Sequence, residues 1–183
     1  MIRIIAGMHK KRKLQSVPGR STRPTTSFNR EMIFSTYQDY EGKRVLDLYA
    51  GTGAFGLEAI SRGAAWVDFV EFANAAISTI LANITTLSCK DICHLYRKRV
   101  EAFLKDCEGN YDVIFLDPPY EKNLVNPTLR TIMERKLLNP EGLIMVEHSR
   151  KEKIAEDLQK YLVKQKEGKT CSFSWLAEDP EAV

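Results

Sequence analysis

The chain has 183 residues, 44% of them hydrophobic and 28% charged, the make-up of a folded domain with room for a sizeable core. No apolar run approaches the roughly 20 residues that cross a bilayer. The few apolar residues of MIRIIAGMHKKRK come before the basic cluster, in the wrong order for a secretory leader, so a cytoplasmic protein with no membrane attachment is expected. The net charge of +3 is unevenly spread: residues 1–30 hold eight Lys or Arg and no acid, and the rest holds nineteen basic and twenty-four acidic residues.

A basic end on a mildly acidic body fits a polyanionic partner, the alternative being a solvated tail. The acid-free length, interleaved with IRIIAG and KLQSV, favours nucleic acid. After it, apolar runs alternate with helical patterns. RVLDLY (44–49) reads as a strand, AFGLEAISRGA as a helix and WVDFVE (66–71) as a strand. Ile77, Ile80, Leu81, Ile84 and Leu87 mark a helix over about 73–87, followed by a short strand near Cys93–Tyr96. A helix with Val100, Phe103, Leu104 and Cys107 on one face comes next. YDVIFLD then reads as a strand, a segment through Leu129, Ile132 and Met133 as a helix, and GLIMVEH as a strand.

Ile154, Leu158, Tyr161 and Leu162 give one more helical stripe. A hairpin turning near Glu167-Gly168 closes the chain, its second arm pointing Cys171, Phe173 and Trp175 inward. This alternation predicts an α/β protein with a mostly parallel sheet covered on both faces, the final hairpin adding antiparallel strands at one edge. Cys89, Cys93, Cys107 and Cys171 form no CxxC pair and the three histidines are scattered, so reduced thiols and no metal are expected.

Two loops carry the chemistry. In DLYAGTGAFG, Gly51, Gly53 and Gly56 satisfy GxGxxG at a strand-to-helix turn, and Glu71 lies twenty residues after Gly51 at the end of the next strand, where an acid accepts ribose hydroxyls. A dinucleotide-binding dehydrogenase fits that pattern. Asp47 favours S-adenosylmethionine over NAD, because a carboxylate at the lip of the loop repels a diphosphate and attracts an ammonium and a sulfonium. Alternatively Asp47 caps the following turn and Glu71 is a solvated strand end.

The second loop is VIFLDPPYEKNL, residues 113–124. Pro118 and Pro119 end the strand abruptly and cannot donate a backbone hydrogen bond. Asp117 and the Pro118 carbonyl are acceptors, preset by the stiffness of two prolines. An acceptor-rich, donor-poor cluster matches a group that only donates, an exocyclic NH2. Hydrogen bonds to both amine hydrogens aim its lone pair at a methyl carbon, and Tyr120 supplies a flat face for an unstacked base. The competing reading is a helix-start turn, with Asp117 as cap and Pro118 in the first turn.

DPPY after an apolar strand, preceded by DLYAGTG, resembles the methyltransferases that act on exocyclic nucleobase nitrogens. RIIAG, the basic segment ending RKL, RPTT, REMIF, VLDLYAGTGAFGLEAISRGA, VEFANAA with Asn83, and FLDPPY together resemble the RsmD family, over Arg3 to about His148. That resemblance implies methylation of a guanine N2 amino group in bacterial 16S ribosomal RNA, free or within a small-subunit assembly intermediate. It also implies a Rossmann-like class I fold with a seven-stranded sheet whose seventh strand is antiparallel, and an N-terminal RNA-contacting hairpin. The expected division is a basic extension over 1–24 and a methyltransferase domain over 25–183, in a monomer.

The expected cofactor contacts are Asp47, Tyr49, Gly51, Thr52, Gly53, Glu71, Phe72, Arg99 and Val100. Adenine recognition should rest on backbone groups and on Phe72, since Ala73 and Arg99 stand where relatives often carry acids or amides. The catalytic set is Asp117, Pro118, Pro119 and Tyr120. RNA contacts are assigned to Lys10, Lys11, Arg12, Lys13, Arg23 and Arg30; the last two alternatively meet the cofactor carboxylate or pair with Glu31 and acids of the body. Outside this reading stand an adenine-N6 or other exocyclic-amino methylase acting on DNA or a different RNA, a glutamine side-chain methylase and a non-catalytic RNA-binding module.

Overall fold

The structure is a computed structural model that describes residues 2–19, 27–120, 122–168 and 171–181. The N-terminal segment folds back as a small antiparallel hairpin, β1 (Ile2–Arg3) on β2 (Lys13–Leu14), with Ile2 opposite Leu14. Helix α1 (Ser27–Thr36) follows. The alternating segments then give β3 (Arg44–Leu48), α2 (Ala54–Ser61), β4 (Trp66–Val70), α3 (Asn74–Leu87), β5 (Cys93–Tyr96), α4 (Val100–Asp106), β6 (Tyr111–Leu116), α5 (Val125–Glu134) and β7 (Leu138–Ser149). Strands β8 (Leu162–Glu167) and β9 (Cys171–Leu176) complete the sheet.

The seven strands lie in the order β5-β4-β3-β6-β7-β9-β8. Strands β3 to β7 are mutually parallel, and β9 is antiparallel to both of its neighbours. Side chains alternate across the sheet, so each strand feeds two cores. Val45, Val67, Phe69, Val113 and Phe115 face α1, α2 and α3, while Leu46, Leu48, Val70, Ile114 and Leu116 face α4 and α5. The chain runs outward from β3 to β5 and then returns to place β6 on the other side of β3. That reversal opens a crevice at the carboxyl ends of β3 and β6, the usual ligand position in such sheets.

Three details differ from the sequence expectation. Residues Glu156–Tyr161 form a 3-10 helix, not an α-helical stripe, and Leu162 already belongs to β8; Leu158 N–H bonds the Ala155 carbonyl three residues back. In α3 the buried face is Ile77, Ile80, Ile84 and Leu87, and Leu81 is exposed. Every residue of β9 is buried, because the strand lies inside the sheet with both faces covered. Ser172 and Ser174 lie between the inward Cys171, Phe173 and Trp175, and Ser174 Oγ meets His148 Nε2 at 2.9 Å. All four cysteines are buried and free, and no group of potential metal ligands is found among the described residues. None of the described helices is long and apolar enough to cross a membrane.

The basic extension is docked on the body. Ile4, Leu14 and Val17 are buried, and the backbone around them is held by α2. Glu58, itself fully buried, accepts the Ile5 N–H at 2.7 Å and the Ala6 N–H at 2.9 Å. Ser61 accepts the His9 N–H on its hydroxyl and the Met8 N–H on its carbonyl. The chain passes so close that a Cβ on Gly7 (φ 78°) would lie 1.6 Å from the Ser61 carbonyl oxygen.

Candidate active site

Leu48 at the end of β3 pairs with Leu116 at the end of β6, so DLYAG and DPPY leave the sheet side by side at the crevice. In the first loop alternate residues are left-handed: Tyr49 (φ 58°), Gly51 (φ 57°) and Gly53 (φ 75°). A tyrosine in that region carries roughly 1–2 kcal/mol of backbone strain. The Tyr49 hydroxyl, 3.1 Å from Thr128 Oγ1, and the Ala50 N–H on the Val70 carbonyl hold it there. Gly56 is required for packing, since a Cβ there would stand 2.4 Å from Phe69 Cε1 and 2.7 Å from Val67 Cγ1, so α2 could not lie on β4.

Asp47 lies beneath this loop, not at its lip. It is 1% exposed and its Oδ2 accepts the Gly56 N–H at 2.9 Å, fastening the first turn of α2. Burial pushes its carboxyl up to about 8, with the Glu71 charge adding to the rise and the Gly56 N–H opposing it. An acid with a folded pKa near 8 and an unfolded value of about 4 holds its proton longer in the folded state. Its contribution to stability is therefore full below about pH 4 and is lost as the pH rises toward about 8. Asp47→Asn keeps an acceptor for Gly56 and cannot ionise, so its stability relative to the parent should rise across that window. Urea midpoints at pH 5 and pH 8 measure this, and an unchanged difference would contradict it.

Glu71, the residue just after β4, is knitted into the same floor. Its Oε2 accepts the Gly51 N–H at 3.0 Å, and its Oε1 accepts the Phe72 and Ala73 N–H groups at 2.8 Å each. Beside it the Phe72 ring is half exposed, and the Arg99 guanidinium sits 4.5 Å above it. Val100, the first residue of α4, is buried against the second core. A carboxylate with a remaining lone pair next to a half-exposed ring fits an adenosine, whose ribose hydroxyls donate and whose base lies flat.

Asn83 follows the VEFANAA motif, and its partners lie too far away in sequence for any pattern to suggest them. It is fully buried on α3, takes the Gln15 N–H at 2.7 Å, and donates to the Gln15 carbonyl at 3.2 Å and to the Thr52 carbonyl at 3.0 Å. One side chain thus joins the end of the basic hairpin to the glycine loop.

In the second loop Asp117 is partly exposed at the crevice, Pro118 is buried and Pro119 is exposed. The Tyr120 ring is half-buried against the first core, and its hydroxyl donates to Glu147 Oε1 at 3.0 Å. Burial, then the Glu147 and Asp117 charges, raise the Tyr120 pKa, so the hydroxyl keeps its proton at neutral pH. Glu147 was not singled out in the sequence, although an acid closing the apolar run of a third parallel strand repeats the signal of Asp47 and Asp117.

Lys10, Lys11 and Arg12 on the turn of the hairpin and Lys13 at the start of β2 are exposed. Arg12 Nη2 donates to the Thr86 carbonyl at 2.6 Å, capping the end of α3. Arg23 lies outside the described residues. Arg30 is 1% exposed and its Nη2 donates to the Arg3 carbonyl at 3.0 Å, so it braces the hairpin from within.

A doubly wound sheet with an inserted antiparallel strand, a glycine loop backed by an acid at the second strand end, and DPPY beside that loop define a Rossmann-like S-adenosylmethionine-dependent methyltransferase. The protein-family model described as "Conserved hypothetical protein 95" matches residues 2–175, and the chain belongs to this family, which is that of RsmD. It is 38% identical to YlbH of Bacillus subtilis (strain 168) over 170 residues, covering 91% of this chain and 92% of that protein. It is 33% identical to Ribosomal RNA small subunit methyltransferase D of Escherichia coli (strain K12) over 147 residues, covering 80% and 74%. The solved structure of yhhF from Escherichia coli superposes with a TM-score of 0.87 at 28% identity, covering 98% of each chain.

Proposed function

We propose that this chain methylates the exocyclic N2 amino group of a guanine in bacterial 16S ribosomal RNA by direct in-line transfer. The observation that carries this reading is the juxtaposition of DPPY with the glycine loop at one crevice, through the Leu48–Leu116 pair. The relative named Ribosomal RNA small subunit methyltransferase D supports the choice of RNA, and the half-exposed Phe72 beside Glu71 supports the cofactor. S-adenosylmethionine supplies an electrophilic methyl group on a sulfonium, and its transfer leaves a neutral thioether.

The residues of this chain do the rest. Glu71 accepts the ribose hydroxyls, and the half-exposed Phe72 ring, backed by the Arg99 guanidinium, offers its open side to the adenine. The left-handed residues Tyr49, Gly51 and Gly53, with Thr52 between the two glycines, let the backbone approach closely, and Asp47 fastens the loop from below. Asp117 and the Pro118 carbonyl accept the two amine hydrogens, which holds the nitrogen lone pair in line with the methyl carbon. As the N–C bond forms and the S–C bond breaks, the nitrogen becomes acidic and its proton passes to Asp117 or to water. Tyr120 offers the face on which the unstacked base lies. Action on ribosomal RNA supports a cytoplasmic location.

The deciding assay is tritium transfer from labelled S-adenosylmethionine to 16S ribosomal RNA of a strain lacking this protein, followed by nucleoside analysis. Label in N2-methylguanosine is expected. Label in N6-methyladenosine would replace the substrate, and an unlabelled RNA would overturn the reading.

The exposed turn supplies the electrostatic part of RNA binding. Replacing Lys10, Lys11 and Lys13 with Gln should weaken binding and flatten the plot of log Kobs against log salt by about 2, at roughly 0.7 per released counterion on single strands. Arg12 is left in place in that variant because it caps α3. A titration series from 50 to about 200 mM salt reads the slope, and an unchanged slope would make the turn a solvated surface.

A further inference from the structure

Glu147 closes the apolar run of β7 at the ligand edge of the sheet. It stands one position beyond Val146, the partner of Leu116, and so is level with Asp117. It is 5% exposed. Its Oε1 accepts the Tyr120 hydroxyl at 3.0 Å and the Asn29 side-chain amide at 3.4 Å, and the same amide nitrogen lies 3.4 Å from Cys171 Sγ. One carboxylate oxygen therefore gathers the DPPY loop, α1 and, through Asn29, strand β9.

We propose that Glu147 is a positioning residue for methyl transfer: by holding the Tyr120 hydroxyl it fixes the plane of the ring against which the substrate base lies. This rests on the reading of DPPY as an amine site. A tyrosine side chain turns about two torsions, and here both of its ends are restrained. The stiff Pro118-Pro119 segment sets its backbone, and Glu147 holds its far oxygen. The raised Tyr120 pKa keeps the phenol a donor throughout the neutral range, so the restraint persists. Without the acceptor the ring turns, and a base stacked on it carries its amine away from Asp117. Misplacement of a reacting group by about 1 Å costs on the order of a hundredfold in rate.

The test is a double-variant cycle in single-turnover methyl transfer to unmodified 16S ribosomal RNA. Tyr120→Phe and Glu147→Ala should each slow transfer by about 10- to 100-fold. The double variant should be no slower than the slower single one, because both remove the same contact. Glu147→Gln, whose amide oxygen still accepts, should recover transfer to within about threefold of the parent. S-adenosylhomocysteine affinity should be unchanged in all four. Effects that multiply in the double variant, or a Gln variant as slow as the Ala one, would overturn the positioning role. Should Glu147→Ala fail to fold, Tyr120→Phe decides, since full activity there is incompatible with the role. An unmodified RNA after incubation with the parent protein would instead overturn the methyltransferase reading of the loop, so the two failures are separable.

Discussion

Asp117→Ala should lower the rate of methyl transfer by about a thousandfold or more and leave cofactor affinity within about threefold. The size follows from the three tasks that the proposed mechanism gives one carboxylate: holding one amine hydrogen, stabilising the positive charge that grows on nitrogen, and taking the proton. Removing a single preorganised electrostatic partner costs about 10²–10³ in rate, and loss of a proton acceptor contributes a similar factor. Cofactor affinity is spared because the proposed cofactor contacts follow β3 and β4 and open α4, while Asp117 follows β6. Single-turnover tritium transfer and calorimetric titration with S-adenosylhomocysteine separate the two quantities. Asp117→Asn, which keeps an acceptor and loses the charge, should fall between. Activity retained in the Ala variant would remove Asp117 from the mechanism.

Glu58→Ala should destabilise the fold by about 3–5 kcal/mol, the usual consequence of breaking a buried ion pair from one side. Glu58 is fully buried, pairs with Arg62 Nε at 2.9 Å and holds two backbone N–H groups of the hairpin. The nearly buried Arg30 also depends on it. Burial lowers the Arg30 pKa, and the Glu58 charge opposes that fall. Alanine would strand two guanidinium groups without a counter-charge and leave the Ile5 and Ala6 amides unpaired. Urea unfolding measures the loss. Limited proteolysis should cut the N-terminal segment first, because the hairpin is the element released. A change below about 1 kcal/mol would show that the hairpin docks by its apolar residues alone.

Much of this architecture was legible because its signals are local. Apolar runs of four to six residues, separated by helical spacing, state a parallel α/β sheet, and the motifs at strand ends mark the ligand edge without any knowledge of strand order. Asp47 was harder. Its spacing to Gly51 is visible, but whether the carboxylate looks upward to a ligand or backward to Gly56 depends on how closely α2 lies on β4. The hidden partnerships are long-range: Glu58 with Ile5, Asn83 with Gln15 and Thr52, and Glu147 with Tyr120 span from 27 to 68 residues. The burial of Ser172 and Ser174 was equally invisible, because period-two alternation presumes one wet face and β9 has none.

Strand β9 comes after β8 in the chain yet sits between β7 and β8 in the sheet. During vectorial synthesis β8 therefore emerges with nothing to pair with, and β7 waits with an open edge over Ile144–Ser149. Until Cys171–Leu176 slot in, that edge is a template for any passing strand, including one from another nascent copy. The insertion thus ties the closing of that edge of β7 to the last strand of the sheet to be made.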